Sequence, residues 1–366
     1  MLHVVKKHHR PLFGLLALFA LGYVAIAAYF ACWLEYDFLQ ADTEIISYWQ
    51  DSLGWRQPFH PFHVPGYPLM IALVRGLTLG TLPPIAVMMG INLGALLWSV
   101  LLVYRILRSH PIPDRYALAG AGLFGLWPFV GLVYSVRPLA DLPALALLLA
   151  GLHALQRRRL IGAGFFLGLS LVTHKALWPF AALLVAAEVF RGPRRFSRHH
   201  AAALLLLILP LGLLWFFGTL HHDSATWLIA GNLKAEIAPR GTFPVLDGVI
   251  GTLREGGLKA LVKGGTVIGV GVLSAYLLYT CTRFKPRYFQ YGLALSASVL
   301  VLFLLLNEHE IWAVVRFGRL LVVPWMGYLG ARYSAERPSR LSAVVLLLSL
   351  GVLVLSQFAF AWYMTQ

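Results

Sequence analysis

The sequence is poor in charged residues and in cysteine. Charged residues make up only 12% of its 366 residues and hydrophobic residues make up 59%, whereas a soluble domain has about 25% charged residues. This composition excludes an ordinary soluble domain and predicts a single integral membrane domain over residues 1–366. The two cysteines, Cys32 and Cys281, are predicted near opposite faces of the membrane, which excludes a disulfide or zinc framework.

Acidic residues are half as numerous as basic ones, and the two kinds occupy different segments. The chain has 15 Asp and Glu against 30 Lys and Arg, for a net charge of +15. One set of segments between apolar runs is almost purely basic: Lys6, Lys7, Arg10; Arg105, Arg108, Arg115; Arg157, Arg158, Arg159; Arg191, Arg194, Arg195, Arg198; Arg283, Lys285, Arg287; Arg332, Arg337, Arg340. The other set holds most of the acids: Glu35, Asp37, Asp42, Glu44, Asp51, Asp141, Asp223, Glu236, Asp247, Glu255, Glu308, Glu310. Because Lys and Arg are retained in the cytoplasm, the acidic segments are predicted to face outward, and the charge pattern argues against nucleic-acid binding.

The apolar runs predict an all-α bundle of about 11 transmembrane helices, with the N-terminus in the cytoplasm and the C-terminus outside. The predicted spans are 11–33, 84–104, 116–134, 141–156, 160–173, 176–190, 201–220, 264–282, 288–306, 318–331 and 341–363. The first run has about 24 residues, longer than the roughly 7–15 of a signal peptide, so an uncleaved span is expected. Short loops and a high ratio of Arg to Lys suggest a bacterial inner (plasma) membrane.

Two outward segments are longer than simple turns. The first, 34–68, is too polar to span and rich in aromatic residues and proline, which predicts short interfacial helices. The apolar run 69–80 is too short to cross and predicts a juxtamembrane or re-entrant helix. The second long segment, 221–262, is predicted to be a larger outer loop, and no separate soluble domain is expected.

The first outward segment carries candidate acids for catalysis. Asp37, Asp42 and Glu44 are close in sequence, and Glu44 and Tyr48 are spaced to face the same way in a helix. A carboxylate held there can take a proton from an incoming hydroxyl, as a general base does. Alternatively, these acids only solvate an interfacial helix.

His60 and His63 follow in the segment HPFHVPGYP, where three prolines and a glycine predict a rigid bend. Three interpretations stay open: a metal site, polar groups oriented toward a phosphate, or a structural turn. No third metal ligand is close in sequence, so no cofactor is expected, although a divalent metal is possible. Gly66 is predicted to supply a positive φ or close packing.

Three later outward segments supply cations, together with the acids Asp141, Glu308 and Glu310. Arg137 and Asp141 lie four residues apart, so they can pair with each other, or Arg137 can bind a phosphate while Asp141 positions a hydroxyl or metal. His174 and Lys175 form the next predicted turn, and Arg316 and Arg319 lie in the last. If these cations converge near Asp42, they make an anion site beside a base.

The order of these motifs resembles the type-C integral-membrane glycosyltransferases, in particular the branch of protein O-mannosyltransferases and aminoarabinose transferases. The resemblance rests on the acidic motif Asp42-Thr-Glu44 with Tyr48, on His63-Val-Pro-Gly-Tyr67-Pro, on Asp141 in SVRPLADLPALALLL, on GAGFFLGLSLVTHK, and on RFGRLLVVPW. It covers about residues 12–190 best. The chain ends soon after its last predicted span, without the soluble outer domain of many relatives.

The resemblance implies inverting, metal-independent transfer of a monosaccharide from a polyprenyl-phosphate donor to a hydroxyl of a lipid, glycan or protein on the outer face. Asp42 or Asp37 would be the base, with Glu44 beside it. Lys175, Arg137 and Arg319 would stabilise the departing phosphate, with Arg316, His174 and His60 in the same polar set. Asp141, His63 and Tyr67 would orient sugar or acceptor. The alternative is a transporter or flippase of a lipid-linked sugar, but no internal repeat is visible and the charges lie in loops.

Overall fold

Every element of the described residues is helical. A computed structural model describes residues 2–33, 37, 43–53, 64–110, 112–127, 131–190, 197–222, 244–283, 290–305 and 311–333. The helices are α1 Leu2–Ala28, α2 Thr43–Leu53, α3 Gly66–Leu77, α4 Pro84–Arg108, α5 Asp114–Gly125, α6 Leu132–Val136, α7 Asp141–Gln156, α8 Leu160–Thr173, α9 Trp178–Val189, α10 Arg198–His222, α11 Pro244–Glu255, α12 Gly257–Arg283, α13 Gln290–Leu305, α14 Ile311–Gly318 and α15 Val322–Tyr333. A π-helical turn, Tyr29–Trp33, extends α1, and 3₁₀ turns at Lys175–Leu177 and Arg319–Leu321 precede α9 and α15.

Four helices of the described chain are long and apolar enough to cross a membrane. They coincide with predicted spans and run over Arg10–Cys32, Pro84–Arg108, Arg198–Leu220 and Lys263–Thr282. At 1.5 Å per residue, each is about 30 Å or longer, which matches the hydrocarbon thickness of a bilayer. The prediction of an all-α membrane protein therefore agrees with the structure.

Other predicted spans correspond to shorter helices. Asp141–Gln156, Leu160–Thr173 and Gln290–Phe303 are apolar but shorter than a full span. The predicted span 116–134 is not one helix, because α5 ends at Gly125 and α6 begins at Leu132. Pro128 follows Trp127 in the sequence, and a residue before proline is disfavoured in helical conformation. The predicted span 341–363 lies outside the described residues.

The segment 221–262, predicted to be an outer loop, contains more helix than predicted. Helix α11 and the start of α12 fall within 221–262, whereas 223–243 lies outside the described residues. Gly256 and Gly257 join the two helices with φ of +74° and +83°, values that glycine adopts without strain. Charged residues such as Arg254 and Lys259 lower the hydropathy here, so the sequence pattern did not reveal the helices.

The described chain divides into two compact units. The first comprises 1–53, 67–149 and 326–366, and the second comprises 54–66 and 150–325. In the first unit, helix α4 packs against α5, and α1 packs against α4 and α6. Gly125 on α5 leaves room for the ring of Phe19 on α1, because a Cβ atom at this glycine would clash with that ring.

Helices α8 and α10 form the most extensive helix pair of the second unit. Gly164 and Gly168 on α8 face the backbone of α10, where a Cβ atom would clash with the carbonyl oxygens of Ala203 and Leu206. Small residues four apart let helix backbones approach closely in a membrane. This close contact fixes the carboxyl end of α8, from which Thr173, His174 and Lys175 continue.

Candidate functional site

The structure describes most, but not all, of the predicted site residues. Asp42, His60 and His63 lie outside the described residues, and Glu44 is described only as part of the backbone of α2. Asp37 is described and is exposed to solvent. The remaining predicted residues fall into one group in each unit: Tyr67, Arg137 and Asp141 in the first, and His174, Lys175, Arg316 and Arg319 in the second.

A sharp turn between α6 and α7 carries Arg137 and Asp141. Helix α6 ends at Val136 because Pro138 lacks an N–H group and cannot continue the helix. Arg137 is extended, with φ −65° and ψ 123°, and its guanidinium lies 5.2 Å from the ring centroid of Tyr134. Asp141 begins α7, and only 5% of it is exposed. A carboxylate in a first helical turn is favoured by the helix dipole.

Asn92 holds this turn in place. Its side-chain nitrogen donates to the carbonyl oxygens of Arg137 at 2.8 Å and Leu139 at 3.2 Å. Its side-chain oxygen accepts a hydrogen bond from the Tyr67 hydroxyl at 3.2 Å. Sequence analysis missed Asn92, although an amide inside an apolar span is itself a signal, since polar groups there usually have a partner or a function.

Tyr67 connects this hydrogen-bonded group to helix α2. The Tyr67 ring is fully buried and meets the ring of Tyr48 edge to face, with centroids 5.1 Å apart. Tyr48 lies on the same helix as Glu44, one turn further along. The acid-bearing helix α2 and the turn of Arg137 and Asp141 are therefore linked through two buried tyrosines and one asparagine.

In the second unit, His174 caps the 3₁₀ turn that begins at Lys175. The Nδ1 atom of His174 accepts a hydrogen bond from the Ala176 backbone N–H at 3.2 Å. Because Nδ1 accepts, the proton of the neutral ring is on Nε2. The Trp178 indole donates to the Leu171 carbonyl at 3.0 Å and ties α9 back to α8. The position of Lys175 is thus set by the end of α8 and by this cap.

Two arginines lie beside the ring that contacts His174. The His174 and Phe317 rings meet edge to face, with centroids 5.0 Å apart, and Phe317 lies between Arg316 and Arg319 in the sequence. Arg319 is only 1% exposed, and its Nε donates to the Arg316 carbonyl at 3.0 Å. The structure therefore brings together the predicted turns of Lys175 and of Arg316 and Arg319, which are far apart in sequence.

The segment after His63 is packed against the end of α8. Val64 forms a buried apolar cluster with Val172 and Leu214. A Cβ atom at Gly66 would lie 2.5 Å from the Val172 carbonyl oxygen and 2.6 Å from the Thr173 hydroxyl. The predicted close packing at Gly66 is confirmed, and it places the end of the HVPGYP segment beside Thr173.

The described residues contain no group of three or more His, Cys, Asp or Glu side chains that could hold a metal ion. Because His60 and His63 lie outside the described residues, the three interpretations of these histidines stay open.

No family model matches the chain, and no curated protein sequence matches it. The resemblance to type-C glycosyltransferases therefore rests on the motifs in the sequence alone.

Proposed function

We propose that this chain is an integral-membrane glycosyltransferase, which moves a monosaccharide from a polyprenyl-phosphate donor to an acceptor hydroxyl on the outer face of the membrane. The observation that carries the proposal is the contact between His174 and Phe317. It brings the segment that carries Lys175 against the segment that carries Arg316 and Arg319, in a protein that has few charged residues.

This group of cations suits a phosphate. Arginine donates through a planar fork that matches phosphate oxygens, and lysine adds a compact point charge. When the sugar leaves, negative charge develops on the lipid phosphate, and preorganised cations stabilise that charge most effectively. Lys175, Arg319 and Arg316 would stabilise the leaving phosphate, and Arg137 is a further candidate cation for it.

The acids of the first outward segment would supply the base. Asp42 or Asp37, with Glu44 beside it, would accept the proton of the acceptor hydroxyl. The hydroxyl oxygen then attacks the anomeric carbon as the bond to the phosphate oxygen breaks, and the configuration inverts. Asp141 would orient a sugar or acceptor hydroxyl.

The proposal includes the finer topology predicted from the charges. About 11 spans would place the N-terminus in the cytoplasm and the acidic segments on the periplasmic or lumenal face. A bacterial inner membrane would supply both the polyprenyl phosphate and the outer-face acceptors.

One observation favours the alternative, a transporter or flippase of a lipid-linked sugar. The predicted span 116–134 is interrupted between α5 and α6, and transporters often bind substrates at discontinuous helices. The two functions differ in the fate of the donor, because a transferase cleaves it and a flippase leaves it intact.

The test is sugar transfer by the purified protein in lipid, supplied with a panel of polyprenyl-phosphate monosaccharides. We expect release of free polyprenyl phosphate from one donor, and a loss of roughly 10²–10⁴-fold in turnover when the base is removed by Asp42→Asn or Asp37→Asn. Asp114→Asn is the matched control, because Asp114 instead pairs with Arg108 at 2.7 Å.

Two results would count against the proposal in different ways. Normal turnover in both Asp42→Asn and Asp37→Asn would show that neither is the base. No release from any donor would reject the transferase function, and tight binding of one intact donor would then favour the transporter.

A further inference from the structure

Asn92 is the least expected polar residue of the first unit. It lies in one of the four span-like helices, Pro84–Arg108, and is completely buried. It is about 12 Å from the start of α4 at 1.5 Å per residue. A buried amide at this depth is costly unless its donors and acceptor are all used. Here the nitrogen donates to the turn that carries Arg137 and Asp141, and the oxygen accepts from the Tyr67 hydroxyl.

We propose that Asn92 is a positioning residue, which sets the place of Arg137 and Asp141 for sugar transfer and acts together with Tyr67. This inference rests on the proposed function. Neither residue needs to touch the substrate, because each acts through the backbone of the turn.

The turn needs such a partner because its own sequence supplies few backbone N–H donors. Helix α6 stops at Val136, and Pro138 has no N–H group with which to extend it. Within the turn, the Leu139 N–H bonds to the Arg137 carbonyl at 2.8 Å. Asn92 adds donors to the Arg137 and Leu139 carbonyls, with a longer contact of 3.5 Å to Ser135. Irregular backbone at membrane depth is tolerated only where such groups are satisfied.

Tyr67 fixes the orientation of the amide. Its hydroxyl donates to the Asn92 oxygen, so the nitrogen of the same side chain must point at the turn. The ring of Tyr67 is in turn held by the ring of Tyr48 on α2. The arrangement makes the place of Asp141 depend on the helix that carries Glu44, and a displacement of about 1 Å at a reacting group can cost 10²-fold in rate.

Four variants separate positioning from folding. Asn92→Leu removes every hydrogen bond at similar size, and Asn92→Asp keeps the acceptor for Tyr67 but removes the two amide donors. Tyr67→Phe deletes one hydroxyl and keeps the ring. It provides a milder test of the same hydrogen-bonded group if the Asn92 variants fold poorly. Ser99→Ala is the matched control: Ser99 is also buried on α4, and its hydroxyl makes no hydrogen bond among the described residues.

The first measurement needs no activity. Hydrogen exchange followed by mass spectrometry on the protein in lipid should show faster exchange of peptides covering 133–144 in Asn92→Leu and Asn92→Asp. Tyr67→Phe should show a smaller increase in the same peptides. Peptides from α8 should exchange as in the wild type, and Ser99→Ala should leave both regions unchanged.

The second measurement is kinetic. We expect kcat to fall about 10–100-fold in Asn92→Leu, with the donor KM changed less than about threefold, because the turn is displaced while the donor still binds. In a protein that already carries Asp141→Asn, the further change Asn92→Leu should lower kcat by less than about threefold, because the effect of Asn92 on kcat passes through Asp141.

Each outcome decides the inference. Faster exchange of the turn together with non-additive loss of kcat supports it. If the wild type transfers sugar but the variants keep its kcat, or if their turn exchanges normally, Asn92 is not a positioning residue and the proposed function still stands. If the wild type transfers nothing, the proposed function fails and takes the catalytic part of the inference with it. Faster hydrogen exchange in the turn would then show only that Asn92 holds the turn in place.

Discussion

Two buried polar residues of the described chain, Asn92 and Ser274, donate hydrogen bonds to backbone carbonyl groups. Asn92 bonds to the turn after α6, and Ser274 on α12 donates to the Ser296 carbonyl on α13 at 2.6 Å. Such bonds between helices contribute about 0.6 kcal/mol on average in membrane proteins. They add little stability one by one, but each fixes which residues lie opposite one another.

His110, just after α4, gives a residue-scale prediction about pH. Burial lowers the pKa of His110 to about 4, from its ordinary value of 6.5. Between these values the unfolded chain binds a proton that the folded protein does not, so stability should fall as pH decreases from about 6.5 toward 4 and change little above 6.5. His110→Gln should flatten this fall, as measured by thermal unfolding in detergent from pH 7.5 to 4.5. Equal slopes in both proteins would contradict the prediction.

The sequence predicted which turns carry the candidate site residues, but it did not predict the partners of those residues. Pro138 and the charges around it identified the turn of Arg137 and Asp141, because proline and polar residues mark a break in an apolar chain. The sequence pattern could not predict that Asn92 contacts this turn, because 45 residues separate Asn92 from Arg137. It could not predict the contact of His174 with Phe317 either, because that contact depends on how separate helices pack.

At the scale of elements, length and hydropathy predicted the four long helices well. Shorter helices were harder to predict, because an apolar run of about 14 residues fits either a buried helix or a helix that crosses only part of the membrane. The division of 116–134 into α5 and α6 and the helix α11 depend on local proline, glycine and charge, which a hydropathy average hides.

The contact between Gly66 and the end of α8 gives an element-scale prediction. Gly66→Ala would place a Cβ atom 2.5 Å from the Val172 carbonyl oxygen. The backbone there cannot move without disturbing the contact of α8 with α10, so we expect a loss of about 1–3 kcal/mol in the free energy of unfolding. The measurement is thermal or denaturant unfolding of the purified protein.

Gly76→Ala is the matched control on the same helix. A Cβ atom at Gly76 would have no heavy atom within 4 Å, and alanine is favoured over glycine in a helix by about 0.5–1 kcal/mol. The control should therefore be neutral or slightly stabilising. Equal effects of the two substitutions would show that Gly66 is not needed for close packing.

At the scale of the whole molecule, charge asymmetry predicts which segments face the cytoplasm. We expect a membrane-impermeant maleimide to label Thr81→Cys in intact cells, and to label Arg157→Cys only after the cells are permeabilised. Both positions are exposed in the structure. The background would lack Cys32 and Cys281, of which Cys32 is exposed and Cys281 is buried. The reverse labelling pattern would contradict the proposed topology.

The most direct test of the central claim follows the fate of the donor in sealed vesicles containing the protein. With a polyprenyl-phosphate sugar labelled in both the sugar and the lipid, a transferase should release one free polyprenyl phosphate for each sugar joined to an acceptor. Lys175→Gln should slow the formation of both products equally, because the lysine cation stabilises the phosphate that leaves. Movement of the intact donor to the opposite leaflet, with no free polyprenyl phosphate, would contradict glycosyl transfer and establish transport instead.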